Sequence, residues 1–217
     1  MKNALVIMAK RPLLGQTKTR LTPPLAPEQA AELYACFLRD TIDLARQVSN
    51  VYRLIAFAPI DARDYFAQLA PDFLPIPQMG HDLGERLANV MSECLGNAWE
   101  RLVIMDSDSP TLPAPYVANA FDALGKADVV LGPCVDGGYY LIGVKRPQPR
   151  LVREVKMSTS NVLRDTLAIA REENLTVALT ERWYDIDTAN ELEQLRKELR
   201  SAKNGTGRYT RKFLETR

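Results

Sequence analysis

One histidine, His81, and three scattered cysteines, Cys36, Cys94 and Cys134, are all that this 217-residue sequence offers of imidazole and thiol groups, the usual zinc ligands and nucleophile activators. A His-rich metal site is therefore excluded, the H-E-x-x-H pattern is absent, and a Ser-His-Asp or Cys-His nucleophile would have to rest on His81 alone. No C-x-x-C pair occurs, so neither a zinc knuckle nor a redox dithiol is written here. Long apolar runs are missing too. The stretch from Ala4 to Ala9, followed at once by Lys10 and Arg11, is too short for a signal-peptide core or a bilayer span. The expectation is a soluble, cytoplasmic protein with reduced thiols and no membrane partner. Glycine signatures of nucleotide loops are also lacking. G-x-G-x-x-G does not occur, and a G-x-x-x-x-G-K-[ST] loop would need a glycine where Thr17 stands before Lys18. Catalysis, if present, must then use carboxylates, Lys and Arg, backbone amides or a hard metal.

What is present is an ordinary globular composition, 46% hydrophobic and 25% charged, enough for one domain with a proper core. The net charge of +1 hides an asymmetry. From Arg196 onward eight basic residues face Glu198 and Glu215, a net +6 that leaves −5 on the remainder. Within that acidic body the first 27 residues hold Lys2, Lys10, Arg11, Lys18 and Arg20 and no acid, a candidate anion site.

Apolar periodicity alternates between short strands and longer helices. Strands are expected at 3–9, 51–58, 73–76, 101–105, 128–131, 139–144 and 176–179. Helices are expected at 27–48, 61–69, 83–98, 113–124, 161–172 and 189–202. This order predicts a three-layer α/β domain, a mostly parallel sheet with helices on both faces. Gly137-Gly138 ahead of a late strand suggests a small antiparallel addition. The domain is expected to span 1–203, followed by a basic, flexible tail at 204–217.

Ligands of such sheets gather at the carboxyl ends of the strands. After the first strand comes a turn with Lys10, Gly15, Lys18 and Arg20, whose residue types suit phosphate. After the fourth comes Asp106-Ser107-Asp108-Ser109-Pro110. Carboxylates just beyond a buried strand suit a hard cation such as Mg²⁺, although Asp108 or Ser109 could instead cap a turn. A phosphatase of the haloacid-dehalogenase type would want Thr or Val where Pro110 stands. Asp136-Gly137-Gly138 allows close backbone approach. Asp185 and Asp187 alternate on a short extended segment, with Asp187-Thr188 also a plausible helix cap. His81 lies in a helix-entry loop and reads as a surface residue.

In combination these segments resemble a known family. The run Ala9-Lys10-x-Pro12-x-x-Gly15-x-x-Lys18-Thr19-Arg20-Leu21 is followed by Gly80-x-x-Leu83-Gly84-Glu85-Arg86 and Asp108-Ser109-Pro110-x-Leu112. Gly132-Pro133, Asp136-Gly137-Gly138-Tyr139-Tyr140-Leu141-x-Gly143 and Asp185-x-Asp187-Thr188 complete the set. In order and spacing it resembles the DUF2064 family, GT-A-fold proteins of the nucleotide-diphospho-sugar transferase superfamily. The resemblance covers about residues 3–195 and implies a GT-A, Rossmann-like fold. It implies that Lys10, Gly15, Lys18 and Arg20 hold nucleotide phosphates, with Gly84, Arg86, Gly137 and Gly138 also at the nucleotide. Asp108 would be the principal metal ligand and Asp185 or Asp187 the second, on Mg²⁺ or Mn²⁺. Two departures stand out: Asp106 where the family commonly has Gly, and Met157 where Trp commonly precedes Ser158-Thr159.

The function expected on this basis is sugar transfer from a nucleotide-diphospho-sugar to a small-molecule acceptor, with Asp136 orienting or deprotonating the acceptor. The alternative is a nucleotidyltransferase that moves NMP from a nucleoside triphosphate to a phosphorylated acceptor and releases pyrophosphate, which the dense cationic loop favours. A non-catalytic nucleotide-binding protein is a third possibility. Nucleic acid is not an expected partner, because the basic tail lacks aromatic interleaving beyond Tyr209 and Phe213.

Overall fold

The computed structural model describes residues 2–97, 99–201 and 205–216. Seven strands form one sheet: β1 (Asn3–Lys10), β2 (Tyr52–Ala58), β3 (Leu74–Pro77), β4 (Arg101–Met105), β5 (Val129–Pro133), β6 (Tyr139–Val144) and β7 (Val177–Leu179). Their order is β3-β2-β1-β4-β6-β5-β7. All neighbours are parallel except β6, which runs antiparallel between β4 and β5. The helices are α1 (Pro27–Gln47), α2 (Arg63–Leu69), α3 (Leu83–Asn97), α4 (Ala114–Ala123), α5 (Arg150–Arg153), α6 (Val162–Glu172), α7 (Ala189–Ser201) and α8 (Arg208–Glu215). Among the described residues no helix is long and apolar enough to cross a membrane.

The strands read as unbroken apolar runs because both faces are covered. Side chains alternate across the sheet, so Leu5, Ile7 and Ala9 of β1 join the core beneath α1, α2, α4 and α7, while Ala4 and Val6 join the core beneath α3, α5 and α6. Helix α1 buries Ala30, Leu33, Tyr34, Phe37 and Leu38 at helical spacing. Pro27 opens it where no N–H is required, and the Gln29 side chain accepts the Ala26 N–H at 2.9 Å. This is the mostly parallel α/β architecture with a small antiparallel addition that the sequence predicts.

The antiparallel addition is a β5–β6 hairpin. Its turn closes with the Cys134 N–H on the Gly138 carbonyl and the Gly138 N–H on Asp136 Oδ1, both short. Gly137 takes φ +95°, and a Cβ there would lie 2.1 Å from the Ser160 carbonyl oxygen, so only glycine fits. Inserting β6 beside β4 pairs Met105 with Leu141. The hairpin turn thereby joins the carboxyl ends of β1 and β4 at one rim.

The expected flexible tail needs correction. Arg208–Glu215 is helical and docked, with Thr210 and Leu214 buried. Its free N-terminal amides are capped from another helix: Asp40 of α1 accepts the N–H groups of Tyr209 and Thr210, both at 2.9 Å, and the Thr210 hydroxyl at 2.6 Å. The guanidinium groups of Arg39 and Arg208 both lie over the Tyr209 ring, 5.4 and 4.6 Å from its centroid. The boundary expected at residue 203 lies outside the described residues.

Candidate functional site

A cleft of about 590 Å³ opens at the carboxyl rim, lined by the loop after β1, the turn after β4, the β5–β6 hairpin and the segment before α7. Each wall is held by main-chain geometry. Asp106 donates its N–H to the Tyr140 carbonyl (3.0 Å) and accepts the Asp108 N–H on its own carboxylate (3.1 Å), closing the turn after β4. The segment before α7 is pinned to that turn by the Ile186 N–H on the Asp108 carbonyl, 3.0 Å. Ile186 is fully buried, so alternation along this extended stretch turns both Asp185 and Asp187 towards the cleft. Capping of α7 is done by Glu191, which accepts the N–H groups of Asp187 and Thr188 at 2.8 and 2.7 Å. The carboxylate of Asp187 is thereby left for other work.

That work is an ion pair with Lys18. Lys18 Nζ lies 2.8 Å from Asp108 Oδ1 and 2.8 Å from Asp187 Oδ1, and its side chain is only 6% exposed. Burial disfavours the ammonium, but the two carboxylates outweigh burial and hold its pKa above the ordinary lysine value. The same contact outweighs burial at Asp187 and lowers its pKa. Arg20 approaches Asp187 Oδ2 at 3.6 Å from a largely exposed position, and Lys10 lines the same wall.

A second acidic group lies alongside. One ligand atom each from Cys134, Asp136 and Asp185 falls within 4.8 Å of the others, with Cys134 buried and Asp136 exposed. Burial first, then Asp136 and Asp187, push the Asp185 carboxyl up to about 6. Asp106 is raised well above the usual carboxylate range by burial and by Asp108 and Asp185. Burial and the Asp106 and Asp185 charges also raise the Cys134 thiol. Five aspartates lining one cleft, with one buried ammonium among them, leave an excess of acidic groups that suits a hard divalent cation.

The sequence-predicted residues divide accordingly. Lys10, Lys18, Arg20, Asp106, Asp108, Asp136, Gly138, Asp185 and Asp187 all line the cleft. Gly15, Gly84, Arg86 and Gly137 do not. Gly15 sits in the turn after β1 at φ +68°. Gly84 packs α3 against α5, where a Cβ would stand 2.2 Å from the Val152 carbonyl oxygen. Arg86 braces the preceding loop by donating from Nε to the Gly80 carbonyl at 3.0 Å. Asp185 lies with Cys134 and Asp136, whereas Asp108 and Asp187 share Lys18.

Sequence reasoning missed Tyr34 and Gln78. Ser107 Oγ gives its single proton to the Met8 carbonyl (2.9 Å), so Tyr34 Oη must donate to Ser107 (2.8 Å) while accepting the Lys10 N–H (3.1 Å). This chain ties the cationic loop to the turn after β4. Gln78 Nε2 bridges the Ala9 and Ala56 carbonyls at 3.0 and 2.6 Å, joining β1 to β2 at the rim. In the sequence Tyr34 is one more apolar-face residue of α1, and only its hydroxyl could have signalled a polar role.

Residues 41–159 match the profile of an uncharacterized protein family conserved in bacteria, DUF2064. The chain belongs to this family. It is 29% identical over 99% of its length to 2-phospho-L-lactate guanylyltransferase of Methanothermobacter thermautotrophicus, covering 90% of that protein. Among solved structures it is similar to a Desulfovibrio desulfuricans G20 protein provisionally assigned as a nucleotide-diphospho-sugar transferase, with a TM-score of 0.91 and 29% identity over 100% of this chain and 95% of that one. CMP:2-keto-3-deoxy-manno-octonic acid synthetase, solved with CTP, shares the fold at a TM-score of 0.60 and 14% identity, over 92% of this chain and 99% of that one.

Proposed function

We propose that this DUF2064 protein is a nucleotidyltransferase that transfers NMP from a nucleoside triphosphate to a phosphorylated small molecule and releases pyrophosphate. The observation that carries this reading is the cleft itself, where Lys10, Lys18 and Arg20 face Asp108, Asp185 and Asp187 across one rim. The guanylyltransferase relative, similar along nearly the whole chain, favours nucleotidyl transfer over the glycosyl transfer expected from the sequence. The Desulfovibrio protein's assignment is what supports glycosyl transfer as a second reading.

The chemistry is consistent with the residues available. An oxygen of the acceptor phosphate attacks the α-phosphorus, the α–β bridging bond breaks, and pyrophosphate leaves. A phosphate monoester is already anionic near neutral pH, so its oxygen needs no general base, and the cleft is not lined by the single histidine. In this role Lys10 and Arg20 neutralise the triphosphate and hold it in line, which is most of what such a transfer requires. Asp136 then orients the acceptor rather than deprotonating it. Asp108, with Asp187 or Asp185, fits Mg²⁺ or Mn²⁺ because the set is all hard oxygen and the Asp108–Asp187 pair already converges on one cationic point. When bound, the cation would supply positive charge that stabilises the leaving pyrophosphate.

The test is a panel of nucleoside triphosphates, GTP first, with 2-phospho-L-lactate and other phosphorylated acids in Mg²⁺. Pyrophosphate release that depends on both substrates is expected. Release of a nucleoside diphosphate from a nucleotide sugar, with no pyrophosphate from any triphosphate, would return the assignment to glycosyl transfer.

A further inference from the structure

Lys18 occupies an unusual position for a phosphate-binding lysine, because it is already paired with two carboxylates. Its ammonium is 2.8 Å from an oxygen of each of Asp108 and Asp187, one of the two candidate cation pairs, and it is far more buried than they are, 6% exposed against 35% and 37%. A hard divalent cation held by the same two oxygens would need to sit about 2.0–2.2 Å from each, roughly where the nitrogen now is. Two positive charges cannot share that point in a half-buried cleft.

The loop holds the lysine there. Lys18 has left-handed backbone angles, φ 49° and ψ 42°, which cost a non-glycine residue of the order of 1 kcal/mol or more. Immediately after it the Leu21 N–H bonds the Lys18 carbonyl at 2.9 Å, and Leu21 is fully buried. Upstream the loop is anchored where Lys10 meets Tyr34. With its backbone pinned, Lys18 can leave the carboxylates only by rotating its side chain, and a buried ammonium leaves only for another anion. The nucleotide phosphates proposed for this cleft are such an anion.

We propose that Lys18 is a built-in counter-ion that closes the cation position between Asp108 and Asp187 until nucleotide phosphates draw its ammonium away, so that divalent cation and nucleotide bind as a coupled pair. The inference rests on the reading of Asp108 and Asp187 as cation ligands. It gives Lys18 two successive partners: carboxylates in the free protein and phosphates in the loaded one. It also makes the coupling reciprocal, since whatever nucleotide does for cation affinity, cation must do for nucleotide affinity.

The experiment is Mn²⁺ binding to the full chain, read from the electron paramagnetic resonance signal of free Mn²⁺ without nucleotide, for wild type, Lys18→Met and Lys18→Gln. Wild type with a non-hydrolysable nucleoside triphosphate is measured alongside. Wild type alone should bind weakly, and both variants about tenfold tighter or more. Thermal unfolding supplies a second readout. The variants should lose stability in metal-free buffer and regain more of it in Mn²⁺ than wild type gains. Adding Asp108→Asn to Lys18→Met should abolish the gain. If wild type binds Mn²⁺ with nucleotide but the variants bind it no tighter than wild type in its absence, the counter-ion role is overturned while the cation site stands. If no protein binds Mn²⁺ under any condition, the cation reading falls and takes this inference with it.

Discussion

Asp40 beneath the C-terminal helix and Asp106 and Asp185 of the cleft are all carboxylates that burial pushes towards protonation, yet their surroundings differ in kind. Around Asp40 the protein supplies three hydrogen-bond donors from α8 that oppose the upward push. Around Asp106 and Asp185 it supplies further carboxylates, which add to the push. The first arrangement is complete without a ligand and serves to dock a helix. The second is left electrostatically incomplete, held in shape by main-chain bonds and one buried lysine, as expected of a site whose missing charge arrives with its substrate. Similar pKa directions therefore carry opposite meanings, and the donors around each group decide which.

Substitutions can break this contrast. The largest effect is expected on activity at the cleft: Asp108→Ala should lower the rate of pyrophosphate release about 10²–10³-fold while circular dichroism shows an unchanged fold. Asp40→Ala should do the reverse. Losing the cap is expected to cost about 2–3 kcal/mol, seen as a fall of about 5–10 °C in melting temperature, with the rate of the remaining folded protein little changed. An Asp40 variant that melts like wild type would show that α8 docks by apolar contact alone.

Gly137→Ala sharpens the comparison from the hairpin side. The new methyl must displace the Ser160 carbonyl and adopt φ +95°, a change expected to cost about 2 kcal/mol. It should also shift Asp136, so acceptor KM should rise more than nucleotide KM. The smallest effect belongs to Asp185→Asn. The Asp185 pKa is raised in the folded state to about 6, above its unfolded value near 3.9, so the folded state binds the proton more tightly. Its destabilising contribution is thus absent below about pH 4, grows as pH rises and is complete above about pH 6. Removing the charge should raise stability by about 1 kcal/mol at pH 7.5, allowing for its partial exposure, and by nothing at pH 3.5. Denaturant unfolding at the two pH values measures the difference.

All seven strands and six of the helices are legible in the sequence because burial on both faces leaves an apolar run and burial on one leaves a 3.6-residue period. Helix α8 is not, because its strongest stabilising contacts come from elsewhere. The Asp40 cap lies 169 and 170 residues away in sequence, and the Gly205-Thr206-Gly207 stretch ahead of α8 reads as a break. The cleft was partly legible, since cationic and acidic turns after strands are visible as residue types. Their pairing was not. Lys18 and Asp187 are also 169 residues apart, and nothing local distinguishes a lysine waiting for phosphate from one already held by two carboxylates. Gly84 and Arg86 share a motif with the family, and the contacts the fold gives them, Gly84 against the Val152 carbonyl and Arg86 on the Gly80 carbonyl, could not be read from that motif.

The most direct measurement of the central claim is the mass of the product. Wild type and Asp108→Ala are incubated with GTP, Mg²⁺ and 2-phospho-L-lactate or another phosphorylated acid, and the acceptor is analysed by mass spectrometry. The account predicts an acceptor heavier by one nucleotidyl group, joined through a new diphosphate and formed by wild type far faster than by the variant. An acceptor that gains a hexose from a nucleotide sugar, and never a nucleotidyl group from any triphosphate, would contradict it.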